Sequence, residues 1–393
     1  MRCIIVTSSI SFFFFSSCLE PFEYRSEAYE QVLVIDALLT NETKSHLVTL
    51  SYTYPLDSGF EAGRVDGATI YIEDEEGVRF DFYNEGNGVY QSLGNVQGQE
   101  GHQYRLVVTT PDNREYQSSY ELLKSAPPID SIYDFYAEAI NEETNSVEKG
   151  IQFFLDSHDE SEESQFFRYI IEETYKIVVP YPSSFEVIDD QIIPREEEVG
   201  YCYNYVNPTS LLIGTSAGST ENRIQQFPLN FVFETSQKLR SRYSLLAKQY
   251  SISEDAYLYY RKLKENNEST GSLSDKQTGT IIGNISGVTD PNEVVLGFFE
   301  VSGVTERRDF FNASDYHPDF NAAPFHTYCR PDQAMRFDYE DAINFADSVG
   351  GYEIHYIEYA IEPGSADSVV FHRRSCTNCS YYADTEVPSY WID

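Results

Sequence analysis

Between residues 31 and 120, turn-forming residues cut the chain into apolar runs too short for helices, and that punctuation points to an all-β fold. Residues 32–39 form an apolar stretch closed by Thr40, Asn41 and Glu42, the pattern of a buried strand before a turn. Residues 46–52 follow, with Leu47, Thr49 and Ser51 alternating against Val48, Leu50 and Tyr52. Residues 68–72, 78–83, a short run from Gly88, and 104–110 continue the series. Glu75-Glu76-Gly77 supplies one of its turns, and Pro111-Asp112-Asn113 another before residues 115–120. About seven strands over ~90 residues predict a β-sandwich of immunoglobulin-like or transthyretin-like type. The region lacks the paired Cys and Trp of antibody domains.

Ser125-Ala126-Pro127-Pro128 interrupts this pattern, because two prolines fix φ and remove two backbone donors. A domain boundary is expected there, with a sandwich over 18–124 and a larger β-rich domain with a few short helices over 125–393. Strands are predicted at 150–155, 166–179, 242–252, 281–285, 294–301 and 352–361. Residues 180–200 carry three prolines and the acidic Glu196-Glu197-Glu198, and read as a surface loop. Helix is predicted over 254–266, where Ser253 caps and Ala256, Tyr257, Tyr260, Leu263 and Lys264 fall at helical spacing before Thr270-Gly271-Ser272. A second helix is predicted over 339–349. The fold class is mainly β.

The front of the chain carries a different signal. Arg2 precedes an apolar segment dense in Phe12 to Phe15, and Ser16 and Ser17 lead into Cys18. The segment is too short for a bilayer, which takes ~20 apolar residues, and reads as a secretory signal. Small residues ahead of a cysteine predict lipoprotein cleavage, with residues 1–17 removed and Cys18 lipidated. Phe15 stands where such cleavage boxes usually carry Leu, so a plain signal peptide is the alternative.

The formal charge of −37 repels polyanions, and no Lys/Arg stripe offers itself to nucleic acid. Disorder is excluded by 32 Tyr, 26 Phe and 41% hydrophobic residues, enough for large cores. Beyond Cys3 and Cys18, the cysteines are Cys202, Cys329, Cys376 and Cys379. An even count in an exported chain favours structural disulfides, with three pairings open. The Cys376-x-x-Cys379 spacing also admits redox chemistry, or zinc with His372 four residues away.

Asp156, His158, Asp159 and Glu160 concentrate metal-ligand types, although a strand running into an Asx turn explains the same residues. His317 and Asp319 around Pro318 form a similar pair. Gly214-Thr215-Ser216-Ala217-Gly218 matches a nucleophile elbow. The elbow needs a helix after the serine, whereas residues 219–226 are polar and run to Pro228. No catalytic residue and no cofactor is therefore nominated. Tyr201, Tyr203 and Tyr205, and Tyr257, Tyr259 and Tyr260, are expected to leave some rings exposed for binding.

Taken in order, several short motifs make the chain resemble a family of Bacteroidota outer-membrane lipoproteins whose shared domain has no assigned function. They begin with Cys18-Leu19-Glu20-Pro21, the opening over 34–40, Val65-Asp66-Gly67-Ala68-Thr69 with Glu73-Asp74, and Gly88-Val89-Tyr90. Pro127-Pro128-Ile129-Asp130-Ser131-Ile132, Asp156-Ser157-His158-Asp159, the stretch 243–257, Ser269-Thr270-Gly271-Ser272-Leu273 and Cys376-Thr377-Asn378-Cys379 follow. The resemblance implies an exported lipoprotein that often accompanies TonB-dependent transporters. Glu20 and Glu23 look like the acidic signal that sends such proteins to the cell surface. The expected function is a binding accessory of such a transporter, lipid-anchored at the outer membrane and without enzymatic activity. The alternatives are a surface hydrolase acting on glycan or peptide, and an adhesion protein.

Overall fold

The computed structural model describes residues 31–54, 63–268, 281–359 and 367–392. The signal segment, Cys18, Glu20, Glu23 and Thr270-Gly271-Ser272 lie outside these residues.

The first unit is built from β1 (Leu33–Thr40), β2 (Leu47–Tyr52), β3 (Gly63–Arg64), β4 (Thr69–Asp74), β5 (Arg79–Gly86), β6 (Val89–Ser92), β7 (Gln103–Thr109), β8 (Glu115–Ser118) and β9 (Glu121–Leu122). Their order across the sheet is β1-β2-β6-β5-β4-β7-β8, and the ladder curls around one core of Ile35, Leu50, Ile72, Tyr90, Leu106 and Tyr116. Alternation drives this: in β4, Ile70, Ile72 and Asp74 turn inward while Thr69, Tyr71 and Glu73 do not. The predicted strands are found within a residue or two at most ends, as is usual for strand limits.

The second unit holds β10 (Ile129–Asn141), β11 (Ser146–His158), β12 (Phe166–Val178), the hairpin β13 (Phe185–Ile188) and β14 (Gln191–Pro194), β15 (Tyr201–Val206), β16 (Leu212–Thr215), β17 (Arg223–Phe233) and β18 (Arg242–Ser251). Helix α1 (Glu254–Glu268) follows, its first turn capped by the Ser253 hydroxyl, which accepts from the Ala256 N–H at 3.2 Å. β19 (Ile285–Gly287) and β20 (Val295–Asn312) come next.

β20 joins the two units. Its residues Val295 to Ser302 pair in parallel with β1, and Gly303 to Asn312 pair antiparallel with β18. At the changeover the chain has room only for glycine: a Cβ on Gly303 would lie 2.2 Å from the Lys124 carbonyl oxygen. The chain therefore leaves the first core at the Ser125–Pro128 break and returns to it, with Ile285, Val295, Phe299 and Val301 filling that core. Pro127 is fixed in place, its carbonyl accepting from Gln249 and from the Thr305 hydroxyl.

The chain closes with β21 (Met335–Phe337), α2 (Tyr339–Ser348), β22 (Tyr352–Glu358), β23 (Ser368–Arg373) and α3 (Arg374–Thr377). Sheet order β21-β23-β22 and α2 enclose a small core around Phe371, Ile354 and Ala342.

Several expectations are corrected. Residues 180–200 are not all loop, since β13 and β14 pair across a two-residue turn at Asp189 and Asp190, both in the left-handed region. Of 281–285 only Ile285 is in a strand, and 294–301 is the first part of a strand of 18 residues. β10, β15, β16, β17 and β23 were not predicted as strands.

Candidate functional site

β10, β11 and β17 form a three-stranded sheet in that order, with β10 at one edge. Its inner face sends Ile132, Ile151, Phe153, Leu155 and Val232 into the second core. Cross-strand register puts Tyr133 opposite Phe154, Phe135 opposite Gln152, and Ala137 opposite Gly150 on the other face, with Phe231 and Phe233 from β17 beside them. That outer face is aromatic and open to solvent. Tyr133 and Phe154 have ring centroids 5.9 Å apart, and Phe231 and Phe233 lie edge to face at 5.0 Å. Phe135 is 63% exposed.

Gly150 shapes this face. A Cβ there would come within 2.6 Å of the Phe231 ring, so the missing side chain is what lets that ring lie across the sheet. Beyond the aromatic strip, the β10–β11 hairpin carries Ile140 and Val147, 67% and 66% exposed and directly opposite each other.

The nominated metal candidates sit at the other end of the same sheet but do not converge. The Asp156 carboxylate accepts from the Tyr133 hydroxyl at 3.1 Å and the Gln226 N–H at 2.7 Å. His158 Nδ1 pairs with Asp130 at 2.7 Å, and that hydrogen bond raises the imidazole pKa. Asp159 closes an Asx turn, accepting from the Ser161 and Ser164 N–H groups; burial raises its carboxyl pKa, but these bonds outweigh it and the net shift is downward. Among the described residues, no three His, Cys, Asp or Glu side chains gather as a metal site. His317 stacks on Tyr136 at 5.2 Å and accepts from the Asp319 N–H.

The four cysteines pair as Cys202–Cys379 and Cys329–Cys376. Each cysteine of the Cys-x-x-Cys thus bonds elsewhere, which removes the zinc and redox readings of that motif. His372, proposed as their partner, is buried against Tyr181 with ring centroids 4.0 Å apart. Burial first, then the charges of His355 and Arg336, push its pKa down to about 4.

Ser216 is buried after β16, and the turn that follows does not become a helix. Its hydroxyl donates to the Asn222 side chain, a contact that positions a turn and supplies no base. The tyrosine clusters divide. Tyr205 is half exposed, whereas Tyr203 is buried, and Tyr257, Tyr259 and Tyr260 pack on Phe166 and Phe298 beneath α1.

One buried charge group had no sequence signal among so many acids. Arg168 of β12 makes a bidentate pair with Glu300 of β20, both contacts at 2.8 Å, and the Tyr260 and Ser302 hydroxyls donate to the same carboxylate. Burial raises the Glu300 pKa, but Arg168 and these donors overcome it, holding it below the usual range. With every lone pair engaged, the group fastens α1 over the junction of the units. The cleft beside it, about 500 Å³, is lined by Asp255, Tyr259, Lys262, Asn284 and Phe298. Asn284 is already bonded to Glu121 and to both backbone groups of Phe299.

The profile of DUF4249, a domain of unknown function, matches residues 19–308. The chain belongs to the DUF4249 family. The DUF4249 match spans the first unit, the aromatic sheet and nearly all of β20, and stops before the closing Cys376 to Cys379 motif. No curated protein matches the chain.

Proposed function

We propose that this DUF4249 chain is a lipid-anchored outer-membrane protein exposed at the cell surface, serving a TonB-dependent transporter as a binding accessory. The observation that carries the reading is the solvent-facing aromatic strip of Tyr133, Phe135, Phe154, Phe231 and Phe233 on a rigid sheet. Aromatic rings held on strands supply contact area at low entropic cost, as recognition surfaces require. Two disulfides suit an exported protein, and Cys18 supplies the anchor. The transporter itself enters from the sequence resemblance.

The test is affinity purification of the tagged full-length chain from gently solubilised native membranes. A stoichiometric outer-membrane barrel should accompany the native chain, and recovery of the chain alone overturns the accessory role. Replacing Cys18 by Ala should release the protein from the membrane, and unchanged partitioning overturns the anchor.

A further inference from the structure

β10 is a 13-residue strand whose outer edge has no partner strand among the described residues. Near its start, Arg307 donates to the Asp130 carbonyl at 2.7 Å. From Tyr133 to Asn141 no backbone hydrogen bond to a strand on the open side is made by the described residues, which leaves about 30 Å of ladder at ~3.4 Å per residue. A long edge flanked by exposed apolar rings is a template for another strand.

The charges on β10 select its occupant. Asp130, Asp134 and Glu138 are its ionisable acids, and the strand carries no Lys or Arg. Asp134 and Glu138 share the inner-face register, and Phe135 and Tyr133 the outer. Burial and then the Asp315 charge raise the Asp134 pKa, and no cationic side chain among the described residues offsets them. Lys149, opposite Glu138, lies 5.8 Å from the Tyr136 ring centroid. A second copy added antiparallel about Tyr136 would set Asp134 against Glu138 twice, a like-charge arrangement that disfavours pairing. The same positions favour a strand with basic residues in that register.

We infer that β10 accepts an extended segment of a partner protein as an added strand, with basic side chains beside Asp134 and Glu138 and apolar ones beside Tyr133 and Phe135. This deepens the accessory reading and rests on it only for the partner's identity.

The experiment uses the full-length chain and three capped nine-residue peptides, read by fluorescence anisotropy and backbone amide exchange. One alternates Val and Lys, one alternates Val and Glu, and one has the first composition with its lysines contiguous. The alternating Lys peptide should bind at least about tenfold tighter than the other two and slow exchange over 133–141. Glu138→Lys and Phe135→Ser should each weaken it by about tenfold, while Glu76→Lys, in an exposed turn of the first unit, should leave it unchanged. Equal binding of the alternating and contiguous Lys peptides shows only attraction to an acidic protein and overturns the proposal. So does unchanged exchange over 133–141, or indifference to Glu138→Lys, which does not depend on Phe135→Ser folding. Failure here with a barrel still copurifying ends the strand-addition idea and leaves the accessory role; binding here without a barrel does the reverse.

Discussion

Two sheet edges of this molecule are treated in opposite ways. β15 is covered: the Tyr203 N–H donates to the Asp384 carbonyl at 2.8 Å, Trp391 meets the Tyr203 ring at 4.8 Å, and Cys202 is bonded to Cys379. β10, twice as long, has no such cover among the described residues and shows a phenylalanine beside its edge. An unpaired edge invites association with other chains, and covering it is the usual remedy. Among the described residues the fold closes one edge with a tail and a disulfide and leaves the longer one open, and the proposed strand addition rests on that contrast.

The sharpest way to break this contrast is at the cover. Replacing Cys202 and Cys379 together by Ser frees the closing segment from β15, and loop-closure arguments put the loss at about 3–5 kcal/mol. Chemical denaturation should show it, and amide exchange at Tyr203 should quicken; no change in either would mean that the tail holds without its bond.

On the open sheet, Gly150→Val should cost about 2 kcal/mol by driving the Phe231 ring from its place. The same variant should lose the aromatic strip as a binding surface, which the anisotropy assay reads.

Acid should loosen the covering region. The His372 pKa lies at about 4 in the fold, against ~6.5 for a free imidazole. The unfolded chain therefore takes up a proton first as pH falls. The contribution of neutral His372 is complete above pH ~6.5 and is lost as pH falls from there to about 4. Thermal unfolding followed across that range should fall less steeply in His372→Gln, and parallel curves would remove His372 from the account.

Phe135→Ser should leave stability within about 0.5 kcal/mol while weakening recognition about tenfold, the opposite of a residue that serves the core. The smallest effect is at His158. Asp130 raises its pKa, so any stability from the pair is present below the unfolded pKa and is lost as pH rises through the folded one. Asp130→Asn should bring the imidazole titration down in an NMR titration, and an unmoved midpoint would deny the pairing.

What could be read in the sequence follows from which strands have two unlike faces. β2 and β4 alternate cleanly because one side meets a core and the other water. β10 was invisible for the reason that makes it a candidate surface: Ile132 and Tyr136 face inward, Tyr133 and Phe135 outward, so its apolar residues show no period. β17 begins polar and contains Pro228, a weak pattern for a strand, and the proline sits where the register with β11 shifts. The β13–β14 hairpin did carry a signal in Asp189-Asp190 between short apolar runs, outweighed by its neighbouring prolines. In the site, the Asx turn at Asp159 was legible because turns are local. The cysteine pairing, the Arg168–Glu300 pair and the aromatic strip were not, since each joins residues far apart in the chain.

The division of β20 between the units has a mechanical consequence. A pull arriving at the start of β1 would act along a parallel register of eight residue pairs, Leu33 with Val295 through Thr40 with Ser302. Such a load shears all the interstrand bonds together and does not peel them one at a time. From Gly303 onward the same strand runs on inside the second unit, so tension would travel along a continuous backbone into the part that carries the open edge.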